Sequence, residues 1–203
     1  MRLRSALRRA MALLSLDYAA AVEAERHRVH PWHRSGPTYF VTLRLSDALP
    51  VQALYRLGEV KSLDSTKAFT WLDGQLDAGR GGSLLADRAN SLLIETALTE
   101  SDLGRYSLGP YVIMPNHVHV LVQPRADCPL AAVIHRWKAR TARKLQQSSP
   151  IRGRVWHEES FERTVRDEAE LRRLNDYIFA NPTRAAVSSG SFRFGCGSAE
   201  WPT

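Results

Sequence analysis

Apolar and polar positions alternate with two periods along this chain, and the two periods divide it into strands and helices. Residues 38–45, TYFVTLRL, set Val41, Leu43 and Leu45 against Phe40, Thr42 and Arg44, a period of two in a β-branched and aromatic run that predicts a strand. Residues 51–76 read as mostly helical, and Gly79-Arg80-Gly81-Gly82 makes a turn. A second helix follows over 84–98. Residues 106–108 and 111–114 read as strand, Pro115-Asn116 as a turn, and 117–123 as strand again. Over 129–145 the apolar positions Leu130, Ile134, Trp137, Thr141 and Leu145 recur at helical spacing. A last helix starts near Asp167, which caps it with Glu170 three residues on, and is expected to end by Asn181, before Pro182. The stretch after Ala186 is rich in Gly and Ser and reads as irregular.

Strands are few, and helices are grouped between them. The expected fold is α+β: an antiparallel sheet with helices packed mainly on one face. The expected organisation is a basic arm or helix over 1–34, a domain over 35–186 and a tail over 187–203.

The strand at 117–123 carries the sharpest chemistry. Side chains alternate faces along a strand, so His117 and His119 point the same way, about 7 Å apart along the backbone, while Val118, Val120 and Val122 point into a core. Two imidazoles so placed either hold one divalent cation or form an inert, hydrogen-bonded pair on a half-exposed strand. Oxygen ligands would have to complete a Mg²⁺ or Mn²⁺ site. On the last helix Leu171, Leu174 and Ile178 form the apolar stripe, and Tyr177 sits on its edge. Asn181 lies one turn beyond Tyr177 on the same side. A phenol with an ordinary pKa near 10 needs a base or nearby positive charge before it attacks phosphorus; without them Tyr177 is a packed helix-edge side chain.

Charge adds direction. The 203-residue chain carries a net +7, which favours polyanionic partners. Arg125, Arg136, Lys138, Arg140, Arg143, Lys144, Arg152 and Arg154 face a single acid, Asp127, within 125–154. These cations are either a solvated face or a set of phosphate contacts giving salt-sensitive DNA binding. Arg2, Arg4, Arg8 and Arg9 add a basic N-terminal arm. Trp156 is a candidate for stacking on unpaired bases, whereas Trp137 lies on the apolar stripe. His30-Pro31-Trp32-His33 reads as a surface loop. The glycine turn lacks the Lys-Ser/Thr of a phosphate loop, which argues against ATP chemistry. Cys128 and Cys196, unspaced for zinc or a disulfide framework, read as reduced thiols. No apolar run is long enough to span a bilayer, so a cytoplasmic protein without a membrane partner is expected.

TYFVTLRLSDALP, YVIMPNHVHVLV, HRWKARTARKL, VWHEESFERTVRD and DYIFANPTRA, taken in that order, resemble the single-tyrosine HUH transposases, specifically the REP-associated tyrosine transposases. The resemblance covers roughly residues 31–187. It implies a ferredoxin-like α+β domain and Mg²⁺ or Mn²⁺ at His117 and His119, with Asn181 as a polar third ligand. It also implies Tyr177 as the nucleophile that forms a 5′-phosphotyrosine link and frees a 3′-hydroxyl. The DNA partners it implies are single-stranded hairpins from repeated palindromes, handled by a monomer or a homodimer. Phe179 stands where many members have a histidine, and Glu162 where an Asp is common. Two rival readings are a catalytically inactive sequence-specific DNA-binding module and a metal-dependent nuclease that uses water in place of tyrosine.

Overall fold

The computed structural model describes residues 36–61, 65–100, 102–148, 151 and 153–197. The basic N-terminal arm, the histidine-proline cluster at 30–33 and Arg152 lie outside them. Five strands form one antiparallel sheet: β1 (Tyr39–Arg44), β2 (Tyr106–Ile113), β3 (His117–Pro124), β4 (Phe161–Thr164) and β5 (Arg193–Gly195). Their order across the sheet is β4-β1-β3-β2-β5. The helices are α1 (Val51–Lys61), α2 (Ser65–Asp77), α3 (Arg88–Thr99), the single-turn α4 (Asp102–Arg105), α5 (Leu130–Ser148) and α6 (Glu168–Arg184). With α1 to α4 between β1 and β2, and α5 between β3 and β4, the chain follows the βαββαβ path of a ferredoxin-like domain. It then adds α6 and β5.

Alternation along β3 divides the core. Val118, Val120 and Val122 are buried with Val41 and Leu43 of β1, Ile94 and Leu98 of α3, and Ile134, Trp137 and Leu145 of α5. Leu57 of α1 and Leu72 and Leu76 of α2 belong to the same cluster, so most helices serve this larger core. The smaller core on the other face joins Phe40, Val112 and Leu121 to Leu171 and Ile178 of α6. The register pairs Thr42 with His119 and Arg44 with His117, which sets these four side chains on the α6 side of the sheet.

Several boundaries differ from the sequence reading, each for a local reason. The helical stretch 51–76 is two helices, α1 and α2. The helix expected from residue 84 begins with a 3₁₀ turn at Leu84–Ala86; Asp87 then accepts from the backbone N–H groups of Ala89 and Asn90 and starts α3 afresh. The two strand segments around Gly109-Pro110 are one strand with a register shift between Leu108 and Tyr111, where a proline without an N–H is tolerated. Gly81 lets its turn pass against the backbone of Asp47 and Ala48, where a Cβ would collide. Asp167 does cap α6, accepting from Glu170 N at 2.6 Å. The helix does not stop at Asn181, however; it runs through Pro182 to Arg184. Near a helix end the N–H that proline lacks costs one bond, and Ala185 N donates to the Asn181 carbonyl to close the last turn. The stretch after Ala186 is not wholly irregular: β5 pairs with β2, and Phe194 packs on Phe179 at 6.0 Å. Among the described residues no helix is long and apolar enough to cross a membrane.

One buried polar bridge links three elements. Tyr106 of β2 donates to the Leu98 carbonyl of α3 at 2.6 Å and accepts from Trp137 Nε1 of α5 at 2.9 Å. Tyr106→Phe leaves a carbonyl and an indole N–H unpartnered in the larger core. It is expected to cost about 1–3 kcal/mol in unfolding free energy, measured by urea denaturation.

Candidate active site

His117 and His119 are fully buried beneath α6, and their Nε2 atoms lie 3.1 Å apart. Each ring is held from behind. Asn116 Oδ1 sits 2.7 Å from His117 Nδ1, while Asn116 Nδ2 donates to the Leu76 carbonyl at 2.9 Å. That second bond fixes which end of the amide faces the imidazole, so His117 Nδ1 carries the proton and its Nε2 carries a lone pair. The hydroxyl of Thr42 lies 2.8 Å from His119 Nδ1. A hydroxyl either donates or accepts, so His119 is free to turn a lone pair inward as well.

The third group of the cluster is Asp73 of α2. Its Oδ1 lies 3.2 Å from His119 Nε2, yet it has no aligned hydrogen bond and is buried. Ligand atoms of Asp73, His117 and His119 all lie within 4.8 Å of one another. Burial pushes the Asp73 carboxyl up, but the neighbouring His119, with help from Tyr177 and His117, outweighs it and brings it down to about 2. Burial, then the neighbouring His119, push His117 well below its ordinary value, which keeps it a neutral imidazole. An anionic carboxylate beside two inward lone pairs, all sealed from water, is an arrangement that a cation relieves.

Tyr177 closes the site from α6. Its ring packs edge-on against His119 at 5.4 Å and Phe40 at 5.9 Å. The guanidinium of Arg184, seven residues on, lies 4.7 Å above the same ring. Arg184 also reaches Asp73 Oδ2 at 3.1 Å and Asp77 Oδ2 at 3.4 Å. Burial and the charge of Asp73 push the phenol above its ordinary pKa, and Arg184 opposes them. Asn181 is fully buried one turn after Tyr177. Its Nδ2 lies 3.5 Å from the phenol oxygen, a long contact, and its Oδ1 has no partner.

The structure therefore brings together His117, His119, Tyr177 and Asn181. It adds Asp73, Asp77 and Arg184, which the sequence reading did not single out. A signal for Asp73 existed: it falls four residues after Phe69 and three before Leu76, which puts an acid on the apolar stripe of α2.

The basic residues separate. Arg136, Arg140, Arg143 and Lys144 line a groove of about 790 Å³ on α5, with Arg105 and His135. Because α5 packs on the valine face of β3, this groove and Tyr177 lie on opposite sides of the sheet. Arg140 there pairs with Glu100. Lys138 is turned the other way, bonded to the His157 and Glu158 carbonyls, and Arg154 pairs with Glu158 at 2.7 Å. Trp156 is not a stacking platform, because it is buried and donates to Thr141 at 2.8 Å.

Residues 91–181 match the model of the family described as transposase IS200-like. Among solved structures, the chain matches a REP-associated tyrosine transposase bound to a REP hairpin. The identity is 16% over 77% of this chain and 73% of that one, and the TM-score is 0.50, a likeness of fold. A candidate transposase from Deinococcus radiodurans overlaps 76% of this chain and 97% of its own at 14% identity, with a TM-score of 0.36. No curated protein matches the chain.

Asp77 gives this site a pH signature. Burial and then the charge of Asp73 push its carboxyl up to about 6, against the pull of Arg184. An acid whose folded pKa is raised binds protons more tightly in the native state, so metal-free protein should lose stability as pH rises from 3.8 to about 6. Asp77→Asn is expected to flatten that fall and to stabilise the metal-free protein at pH 7 by on the order of 2 kcal/mol. Denaturation curves across this pH range, taken in chelator, check it.

Proposed function

We propose that this protein, part of which matches the IS200-like transposase model, is such a transposase and cuts and rejoins single-stranded DNA at hairpins through a 5′-phosphotyrosine intermediate on Tyr177. The observation that carries the reading is the convergence of His117, His119 and Asp73 within 4.8 Å, with the Tyr177 ring 5.4 Å from His119. A tyrosine beside a buried set of cation ligands suits transesterification at phosphorus better than it suits a structural role.

The residues present fit a divalent cation. Two imidazole nitrogens and a carboxylate supply mixed N and O ligands and leave positions open for phosphate and water, a set Mn²⁺ or Mg²⁺ accepts. The unpartnered Oδ1 of Asn181 is in reserve as a further oxygen donor. Bound there, such a cation would polarise the scissile phosphate and offset the charge that develops on it.

The chain's own groups do the rest. Asn116 and Thr42 hold the two imidazoles in orientation. Phe40, His119 and the α6 backbone fix the direction of the phenol. Tyr177 Oη forms a bond to phosphorus as the P–O3′ bond breaks; the phenol loses one proton and O3′ gains one. The phosphotyrosine conserves the energy of the broken linkage, so a 3′-hydroxyl reverses the step without ATP. The α5 groove, on the far side of the sheet, suits the folded part of a hairpin: its cations would grip duplex phosphates while the unpaired strand rounds the sheet edge to Tyr177.

A labelled single-stranded hairpin with an unpaired flank, incubated with the protein and Mn²⁺, should give a covalent protein–DNA adduct on a denaturing gel. Tyr177→Phe and chelator should each abolish it. Cleavage without an adduct would replace this reading with a water-using nuclease. Binding without cleavage would replace it with an inactive DNA-binding module. Asn116→Ala frees the His117 ring and is expected to weaken Mn²⁺ affinity about 10–100-fold, read by metal titration in the absence of DNA.

A further inference from the structure

Beside the histidine pair the structure buries a charge that has no full set of partners. Arg44 stands on β1 two residues after Thr42, on the same face, and its Cα pairs with that of His117. It is only 5% exposed, and its Nη1 has no hydrogen-bond partner. Glu159 is the acid whose charge reaches it, while burial pushes its pKa down. A guanidinium held out of water with an unmet donor is costly, and such a group calls for an acceptor that arrives from outside the chain.

The surroundings describe that acceptor. Arg44, His157 and Glu159 wall a cleft of about 630 Å³ that is open to solvent and also lined by Ser46, Arg154 and Trp156. The same three residues border a narrow slot that continues to Thr42, the residue bonded to His119. The slot thus reaches the residue that backs the His119 ring. Its wall is fixed, because Lys138 Nζ donates to the carbonyls of His157 and Glu158 at 3.1 and 2.9 Å. Charge here is mixed: Arg154 and Glu158, which also line the cleft, are paired with each other, and Glu159 lies near Arg44, whose Nη1 stays unmet. Thr42 and Arg44 are about 7 Å apart along β1, a distance one nucleotide spans.

We propose that Arg44 binds the backbone phosphate next to the scissile one, so that this cleft carries the single strand into the histidine site. The assignment rests on the strand-cleavage reading above and adds a residue and a path to it. The planar fork of arginine takes a phosphate through two donors. Arg44 is a DNA-binding residue here and takes no part in bond making.

The test uses the full chain as Tyr177→Phe, so that binding is read without cleavage, with Mn²⁺ and a fluorescent hairpin bearing an unpaired flank. Arg44→Gln should weaken binding about tenfold and lower the slope of log K against log salt by about 0.7, one single-strand phosphate contact. Arg44→Lys should keep the slope. A methylphosphonate at the adjacent position, which removes that phosphate's charge, should weaken the Tyr177→Phe protein similarly and have no further effect on Arg44→Gln. A folded Arg44→Gln protein with an unchanged slope would overturn the proposal. So would an abasic site there abolishing the difference between the Arg44→Gln protein and its parent while the methylphosphonate leaves it intact, since a base would then fill the cleft. If Arg44→Gln fails to fold, the parent decides: the methylphosphonate at the adjacent position must weaken its binding about tenfold, and an unchanged affinity refutes the contact. Failure of the Tyr177→Phe protein to bind single-stranded DNA at all would remove the cleavage reading and this assignment with it. Binding that responds normally to every other phosphate but not to this one would remove the Arg44 assignment alone.

Discussion

Everything at this site depends on the register of β1 against β3. Three valines of β3 are buried on one face, each contributing about 1.5–3 kcal/mol of apolar burial. A slip of one residue would send all three to the opposite face. The same alternation holds His117 and His119 on the other side, and the pairing Thr42↔His119 places a hydroxyl behind one ring and the Arg44 position beside the other. The larger core, built by α1, α2, α3 and α5, thus locks in place a pair of side chains that lie outside it. A reactive cluster assembled this way needs no stabilising contribution of its own.

That independence matters because the cluster is unfavourable as it stands. Two imidazole nitrogens face each other at 3.1 Å, a carboxylate oxygen lies 3.2 Å from one of them, and buried oxygens of Asp73, Asp77 and Asn181 lack partners. Buried polar atoms in native proteins are nearly always satisfied, so a local excess of acceptors marks a place where the fold accepts a cost. Arg184 relieves part of it by reaching Asp73, Asp77 and the Tyr177 ring together. Asp73, one of the two acids that draw Arg184 in, also adds to the burial that keeps the phenol protonated, so the tyrosine and the histidine cluster are coupled through one carboxylate.

Much of this was legible in the sequence, because it follows from local periodicity. The common face of His117 and His119 comes from the period of two in β3, and the neighbouring positions of Tyr177 and Asn181 from the helical turn between them. The α+β class came from few strands with grouped helices. Asp73 and Arg184 escaped notice because their roles arise between elements. α2 is far from β3 along the chain, and nothing in either segment records that they meet. Arg184 was hidden by Pro182: a helix that stops at Asn181 cannot carry an arginine back over Tyr177. β5 was missed for a related reason, since so short a strand in a Gly/Ser-rich stretch has too little pattern to show a period, and only its pairing with β2 defines it.

The continuation of α6 through Pro182 links the fold to its use of charge. With the helix ending at Arg184, the tyrosine, the amide of Asn181 and the guanidinium lie along one side of a single rigid element, pinned at its start by the Asp167 cap and by Arg166 and Arg163 on Glu170. The basic surface of α5 is kept away from them by the whole thickness of the sheet. Were those cations beside Asp73, they would compete with a divalent ion for its carboxylate, which the half-exposed Arg184 already reaches. Placing the bulk of the positive charge on the opposite face leaves a strongly attractive surface for polyanions and a histidine site with a net demand for cations. A sheet buried on both sides is what allows one small domain to hold both.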